Sequence, residues 1–197
     1  MDGNPPLRQV RAVFDDQTVT VYQAYSAEIA EAAVGAGTFV PPFKLTRMTW
    51  IKPSFFWMMY RSGWATKPGQ ERVLSIRVTR EGLEDALQSA CLSHFDPDVY
   101  PSHEEWTRRR DTSPVRIQWD PERGPDLEPL LWRSIQVGLG DIAARKYVAE
   151  WITDITDVTD RVRETHRDVE QGRDVAAAER PYPLSDALAV HIGASLT

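Results

Sequence analysis

The sequence contains little of what marks several common protein classes. It has one cysteine, Cys91, in 197 residues, so an intramolecular disulfide is excluded. No apolar run approaches the roughly 20 residues that a membrane-spanning helix needs, and the first residues lack the apolar core of a secretion signal. We therefore expect a soluble protein of the cytoplasm. With 42% hydrophobic residues, the chain has enough apolar side chains for one substantial core.

The patterns of the common nucleotide-binding and hydrolytic sites are also missing. The chain contains no P-loop, no dinucleotide-binding fingerprint and no nucleophile elbow. Its four histidines are scattered and no second cysteine accompanies them, so we expect no metal site. Cys91 falls in a predicted amphipathic helix with His94 three positions on, where a lone cysteine is usually inert packing rather than a nucleophile.

Acidic residues are absent from one long stretch, between Glu31 and Glu71. That stretch contains five basic residues: Lys44, Arg47, Lys52, Arg61 and Lys67. It carries +5 in a chain whose net charge is −6, so the remainder carries −11. An acidic protein with one cationic segment is not a general nucleic-acid coat. The segment indicates instead a local site for an anionic, phosphate-bearing ligand.

Strand and helix patterns succeed one another along residues 1–160 and predict a single α+β domain. The expected architecture is small mixed or antiparallel sheets with flanking helices. Strands are predicted over residues 18–25, 48–51, 72–79, 115–119, 132–139 and 151–159. Residues 120–130 are rich in turn formers and predict a loop. Residues 161–197 are charged and interrupted by prolines, which predicts a helical or loosely ordered tail.

The most specific candidate site lies where a predicted strand is followed by a helix. Pro53 suits the first turn of that helix, whose free N–H groups and dipole favour an anion, and Lys52 adds a positive charge. Arg47 reaches the same ligand from across the strand, Thr49 supplies a hydroxyl, and Ser54 caps the helix. The alternative is that Lys52 and Arg47 only pair with surface carboxylates.

Three tryptophans recur at intervals of seven residues, at Trp50, Trp57 and Trp64. The ones in or beside the predicted helix lie near one face, where core packing is the ordinary role and base stacking the functional alternative. Together with Arg61, Trp50 and Trp57 would form a platform for single-stranded nucleic acid. The arginine run 108–110 lies at a predicted helix end, where cations are favoured for structural reasons.

Several blocks of the sequence resemble the domain-of-unknown-function family 4291, found in bacteria and fungi. The resemblance covers about residues 8–160, and it rests on these blocks: TVYQAYSAEIAEAA, FVPPF, RMTWIKPSFFWMMYRSGWA, ACLSHFDP, SPVRIQWDPER and RSIQVGL. The long tryptophan-rich block is the most specific of them. Membership of this family implies no settled activity.

A looser, fold-level resemblance is to ADP-ribosyltransferase-like domains. It implies NAD bound in a cleft between two small antiparallel sheets, with Tyr22 and Gln23 on a first strand, Thr49 on a second and Gln136 on a late one. Lys52 or Arg47 would then hold the pyrophosphate. The sequence departs from that pattern because the first strand has no clear arginine or histidine. Gln136 also cannot act as a carboxylate, which implies altered chemistry, such as RNA-end phosphate transfer, or a likeness of topology alone.

We therefore expect a nucleotide- or nucleic-acid-directed enzyme, with an ADP-ribosyltransferase-like transferase favoured. The candidate catalytic residues are Lys52, Gln136 and Gln23. The candidate substrate- and phosphate-binding residues are Arg47, Thr49, Ser54, Tyr22, Arg61 and Arg133. One alternative is a non-catalytic module that binds single-stranded nucleic acid, and another is a nucleotidyltransferase or ligase with Lys52 as a covalent lysine. The expected partner is a nucleotide or a nucleic-acid end, and no membrane.

Overall fold

Two small β-sheets form the centre of the fold in the computed structural model, which describes residues 5–196. The strands are β1 (Arg11–Ala12), β2 (Thr18–Tyr25), β3 (Thr49–Ile51), β4 (Arg72–Thr79), β5 (Ala90–Leu92), β6 (Val115–Arg123), β7 (Pro129–Leu139), β8 (Ile152–Asp157) and β9 (Arg180–Pro181). The helices are α1 (Ala27–Ala36), α2 (Phe55–Ser62), α3 (Arg80–Gln88), α4 (His103–Thr112), α5 (Asp141–Lys146), α6 (Thr159–Glu170) and α7 (Asp186–His191). The predicted α+β class is confirmed.

The first sheet is antiparallel, with the strand order β2-β4-β8. The apolar alternation of β2 explains its two faces, because successive side chains of a strand point to opposite sides. Val19 and Val21 are fully buried in the larger apolar cluster, together with Ile76 of β4, whereas Tyr22 belongs to a second cluster on the other side. Residues of β2 therefore face two different environments in strict alternation.

The second sheet has the order β3-β7-β6-β5, with antiparallel pairs except for the parallel pair of β5 with β6. Two predictions about the strands of this sheet are wrong. Cys91 lies in the buried strand β5 rather than in a helix, because a short apolar run does not distinguish the two by periodicity. The predicted loop over residues 120–130 is a hairpin, in which β6 extends to Arg123 and β7 begins at Pro129.

Helix α5 continues into a π-helical turn, Tyr147–Trp151, that packs under the first sheet. Tyr147 is fully buried in this turn, and Trp151 lies against Gly82 of α3. A side chain at position 82 would have its Cβ 2.4 Å from the Trp151 ring, so only glycine allows this approach. The turn fixes the Tyr147 hydroxyl beneath the junction of the two sheets.

The segment after residue 160 lies along the domain. Helix α6 places Val162 in the second apolar cluster, and strand β9 pairs with β1 through Arg11 and Pro181. Between them runs an extended stretch that buries Glu179, and after β9 Tyr182 is buried against α3. The C-terminal segment therefore contributes side chains to the interior next to helix α2.

Candidate functional site

A pocket of about 510 Å³ opens where the two sheets separate. Strands β2 and β3 meet at one backbone bridge, in which the N–H of Tyr22 donates to the carbonyl of Lys52 at 2.7 Å and the reverse bond is 3.3 Å. Beyond the bridge the two strands belong to different sheets, and side chains fill the space between them. The volume lies in the range of pockets that bind small ligands.

The charged lining of the pocket is entirely cationic. Lys44, Arg47 and Arg61 line it, and no carboxylate of residues 5–196 does. Within residues 5–196 none of these three side chains forms an ion pair, whereas other exposed arginines do, such as Arg145 with Asp141. Unpaired cations around a concave surface focus a positive potential there. The pocket is therefore suited to an anion.

Aromatic rings make up much of the apolar lining: Tyr25, Phe43, Trp50 and Trp57. Phe43 stacks on Phe39 with 4.4 Å between the ring centroids, and Trp50 lies across Gly138 of β7. A Cβ at position 138 would be 2.9 Å from the Trp50 ring, so glycine at this position lets the ring lie flat on the sheet. The result is a half-buried tryptophan at the edge of the pocket.

The floor of the pocket is a hydrogen-bonded network centred on Gln23. Its Nε2 lies 2.9 Å from the Tyr25 hydroxyl, 2.7 Å from the Thr49 hydroxyl and 3.0 Å from the Trp50 carbonyl oxygen. The Tyr147 hydroxyl lies 2.9 Å from Gln23 Oε1, and the Tyr25 and Thr49 hydroxyls are 3.1 Å apart. Burial raises the pKa of Tyr25 to about 12. The tyrosine hydroxyl is therefore protonated at neutral pH.

Lys52 is not part of this pocket. Its side chain is fully buried, and its Nζ donates to Asp120 Oδ2 at 3.0 Å and to the Ser134 carbonyl at 3.2 Å. The ammonium also lies 4.2 Å from the centroid of the Trp57 ring. Burial lowers the pKa of Lys52 to about 8, against the opposing effect of the Asp120 charge. The anion beside Lys52 is thus a carboxylate of the protein itself.

The start of helix α2 is likewise occupied by groups of the chain. Ser54 accepts the N–H of Trp57 at 3.2 Å, as expected for a cap, and donates to Glu122 Oε1 at 2.6 Å. The Phe55 N–H donates to Glu179 Oε1 at 2.7 Å. Burial, together with the nearby Glu122 charge, raises the pKa of Glu179. The anion that the sequence predicted at this helix start is the Glu179 side chain.

Two further sequence candidates lie outside the pocket. Tyr22 is on the opposite face of β2 from Gln23 and packs edge-on against Phe55, with 5.5 Å between the centroids. Arg133 is exposed, and its guanidinium donates to the Trp119 carbonyl at 2.9 Å. Neither residue lines the pocket. Cys91 is buried, as expected for a packed cysteine, and the Tyr100 hydroxyl donates to its thiol at 3.4 Å; within residues 5–196 His94 forms no hydrogen bond with it.

The structure brings together five of the nine candidates in one pocket: Gln23, Arg47, Thr49, Arg61 and Gln136. It adds lining residues that sequence reasoning did not select, including Lys44, Tyr25, Phe43 and Gln70. Tyr25 could have been predicted from the strand pattern, because it lies two positions after Gln23 and therefore shares its face of the strand. Lys44 could have been selected because it is one of the basic residues of the stretch that lacks acidic residues. In residues 5–196 no group of histidine, cysteine and carboxylate side chains is arranged to hold a metal ion.

This protein is thus an α+β domain whose two small sheets enclose a cationic, aromatic pocket. The chain belongs to the family described as Domain of unknown function (DUF4291), whose profile matches residues 9–185. The matched range includes every residue of the pocket and also Glu179. No curated protein sequence matches the chain significantly. Over residues 5–196 no helix has the length and apolar character to cross a membrane.

Proposed function

We propose that this protein is a nucleotide- or nucleic-acid-directed enzyme that binds the phosphate of its substrate in the pocket between the sheets. The observation that carries the proposal is the charge of the lining. Lys44, Arg47 and Arg61 surround a pocket without a carboxylate, and they have no ion-pair partner in residues 5–196. Arginine pairs with phosphate through two parallel hydrogen bonds, which gives both affinity and orientation.

The remaining lining supports a nucleotide over a bare phosphate. Phe43 and Trp50 offer ring surface on which a base can stack. Gln136 lines the pocket from β7, and its amide has no hydrogen-bond partner in the described part of the chain. An amide offers one donating and one accepting group side by side, which suits the polar edge of a base or a ribose.

The reaction that we propose is transfer of an ADP-ribosyl group or of a phosphate at an RNA end. Gln23, Thr49 and Gln136 lie on three strands around one pocket, in the chain order that the ADP-ribosyltransferase-like resemblance implies. NAD is then the candidate cofactor, with the cytoplasm as the expected location. For phosphate transfer, the proposed catalytic contribution is stabilisation of the negative charge that develops on the phosphate by Arg47 and Arg61. Among residues 5–196 the pocket offers no carboxylate to stabilise the oxocarbenium ion of an ADP-ribosyl transfer, so the lining favours phosphate transfer.

The test is a binding screen by calorimetry with NAD, ATP and short RNA. We expect at least one of these ligands to bind the native protein, and Arg47→Ala to weaken that binding about tenfold or more, because one phosphate contact is lost. The matched control is Arg145→Ala, which removes an exposed, ion-paired arginine outside the pocket. If no ligand binds, or if both variants weaken binding equally, the proposal is wrong.

A second candidate function is a non-catalytic module for single-stranded nucleic acid. It is favoured by one observation, namely that Trp50, Trp57 and Arg61 line the same pocket. Bases stack on aromatic rings with little sequence preference, and a nearby arginine contacts the backbone. This candidate requires the rings to be accessible, and Trp57 is only 8% exposed while Trp50 is half-buried. The enzyme is therefore the proposal that we develop.

A further inference from the structure

The hydrogen-bonding pattern at the floor of the pocket fixes the orientation of Gln23. The Trp50 carbonyl can only accept a hydrogen bond, so the group of Gln23 that lies 3.0 Å from it must be the amide nitrogen. Gln23 Oε1 then faces Tyr147, whose hydroxyl donates to it. Tyr147 is fully buried and Gln23 is 2% exposed, so the amide has no freedom to turn toward a ligand. Gln23 is a positioning residue in this arrangement.

One hydroxyl proton in this network has no acceptor among the described residues. The Gln23 amide nitrogen carries two protons and faces three acceptors, namely the hydroxyls of Tyr25 and Thr49 and the Trp50 carbonyl. One of the two hydroxyls donates to the other across 3.1 Å. The hydroxyl that accepts still has its own proton, and no protein acceptor in residues 5–196 receives it. Because both residues line the pocket, that proton is available to a ligand.

The hydroxyl pair therefore offers one donor to a ligand, and the charged groups of the pocket are donors only. The ammonium of Lys44 and the guanidinium groups of Arg47 and Arg61 cannot accept hydrogen bonds. A terminal phosphate monoester carries close to two negative charges and three acceptor oxygens, whereas an internal phosphodiester carries one charge. A lining whose charged groups are all donors, and to which residues 5–196 contribute no carboxylate, matches the monoester better.

We propose that the pocket receives a terminal phosphate monoester, with the hydroxyl pair of Tyr25 and Thr49 donating to one of its oxygens. Gln23, held by Tyr147, positions that pair. This inference rests on the proposed function and narrows it to ligands that carry a phosphate at an end. The source of the phosphate is either a free mononucleotide or the end of a nucleic acid, which share this chemistry.

The first experiment compares matched ligands on the native protein by calorimetry. AMP is compared with 3′,5′-cyclic AMP, which has the same base but only a diester. A short RNA with a 5′- or 3′-phosphate is compared with the same RNA bearing hydroxyl ends. We expect the monoester of at least one pair to bind about tenfold tighter or better, since it adds one charge and one acceptor. Binding of AMP alone identifies a mononucleotide, and binding of the phosphorylated RNA alone identifies an end.

The outcomes separate the two proposals. If monoester and diester bind equally, and both depend on Arg47, the inference is overturned while the proposed function stands. If none of these ligands binds but NAD or ATP does, the inference is overturned while the proposed function stands. If NAD and ATP do not bind either, both the proposed function and the inference fail. A preference for the monoester that Arg47→Ala does not reduce would place the phosphate elsewhere, which also overturns the inference.

The second experiment uses variants of the hydroxyl pair. The Tyr25→Phe variant frees the Thr49 proton, and the Thr49→Val variant frees the Tyr25 proton, so each single variant keeps one donor. The double variant Tyr25→Phe/Thr49→Val removes both. We expect the ratio of monoester to diester affinity to change little in the single variants and to fall about tenfold in the double variant.

The control for that experiment is Tyr25→Phe/Thr49→Ser, which restores a hydroxyl at position 49 and is expected to restore the ratio. A merely structural role would lower the melting temperature without changing the ratio of the two affinities. An unchanged ratio in the folded double variant would refute the role of the hydroxyl pair. Should the double variant not fold, the ligand comparison on the native protein still decides the inference.

Discussion

The Nζ atom of Lys52 lies 3.0 Å from Asp120 Oδ2 in an interior position, where the lysine side chain has no exposed surface. A second acceptor, the Ser134 carbonyl, and the face of Trp57 complete the surroundings of the ammonium. Trp57 lines the pocket, so the ion pair lies behind a wall of the pocket rather than inside it. Lys52 therefore packs behind the pocket wall and does not line the pocket.

Substitution of Lys52 tests this structural role. We expect Lys52→Met to lower the free energy of unfolding by about 3–5 kcal/mol, because it leaves the Asp120 carboxylate buried without its counterion. Urea unfolding measures the change. The double variant Lys52→Met/Asp120→Asn removes both charges and is expected to recover a large part of the loss.

The Lys52→Met variant also distinguishes a ligand-binding role of Lys52 from a structural role. At a temperature where Lys52→Met is folded, we expect its ligand affinity to stay within a few-fold of the native value. A covalent lysine, or a lysine that binds phosphate, would produce the opposite pattern, with binding lost and stability nearly unchanged. That pattern would contradict our assignment of Lys52.

We expect Glu179 to make a pH-dependent contribution to the stability of the fold. Because its pKa is raised in the folded protein, the folded state holds this proton more tightly than the unfolded state does. The stability that Glu179 contributes is therefore fully present below the pKa of glutamate in the unfolded chain. This stability is lost as the pH rises through the higher pKa of Glu179 in the folded protein. Glu179→Gln keeps an oxygen for the Phe55 N–H and removes the charge.

We expect Glu179→Gln to raise the melting temperature at pH 7–8 and to leave it nearly unchanged at about pH 3, below the unfolded pKa, where Glu179 is neutral in both states. Thermal unfolding across that pH range measures the difference. The control is Glu164→Gln, since Glu164 is an exposed carboxylate on helix α6. A constant difference at every pH would show that Glu179 does not titrate as its burial implies.

Substitution of Gly138 by alanine is expected to disturb the pocket wall. In Gly138→Ala the new Cβ would lie 2.9 Å from the Trp50 ring and 2.8 Å from Met48 Sδ, so the ring must move toward the pocket. We expect a loss of stability of about 1–3 kcal/mol from overpacking, together with weaker ligand binding and a shifted tryptophan emission. Gly35→Ala is the control, because a Cβ there meets no atom within 4 Å.

Salt dependence separates the enzyme from the nucleic-acid-binding module. A pocket with three cations contacts few phosphates, so a slope of log affinity against log salt no steeper than about −2 is expected for a short RNA. A module that follows the backbone contacts more phosphates and gives a steeper slope. It also predicts strong quenching of tryptophan fluorescence by unphosphorylated oligonucleotides. Titrations at several salt concentrations, monitored by tryptophan emission, measure both quantities.

Much of the fold was predictable because local patterns and tertiary structure agree in it. The alternation of residues 18–25 and 72–79 gives strands β2 and β4 almost residue for residue, and Ser26 precedes α1 as its cap position. The hairpin of β6 and β7 was not predictable, since Gly124 and Pro125 indicate a turn without showing how far the flanking strands extend. Strand β5 was not predicted because its three residues are all buried, so they show no alternation of polar and apolar side chains.

The candidate site was predictable in part, for a physical reason. The absence of acids from residues 32–70 located the cationic lining, because charge is a property of composition. The partners of Lys52 and of helix α2 were not predictable, since Asp120 and Glu179 lie far away along the chain. A lysine before a helix start indicates an anion, and only the tertiary structure distinguishes a ligand from a carboxylate of the protein.

The most direct test of the central claim, that the pocket binds phosphate, is charge reversal at Arg47. Calorimetry with AMP and with the phosphorylated RNA compares Arg47→Glu with Arg145→Glu, which makes the same change outside the pocket. We expect Arg47→Glu to weaken binding about a hundredfold, because two units of charge change beside the phosphate, and Arg145→Glu to bind like the native protein. Equal affinities for the two variants would contradict the account.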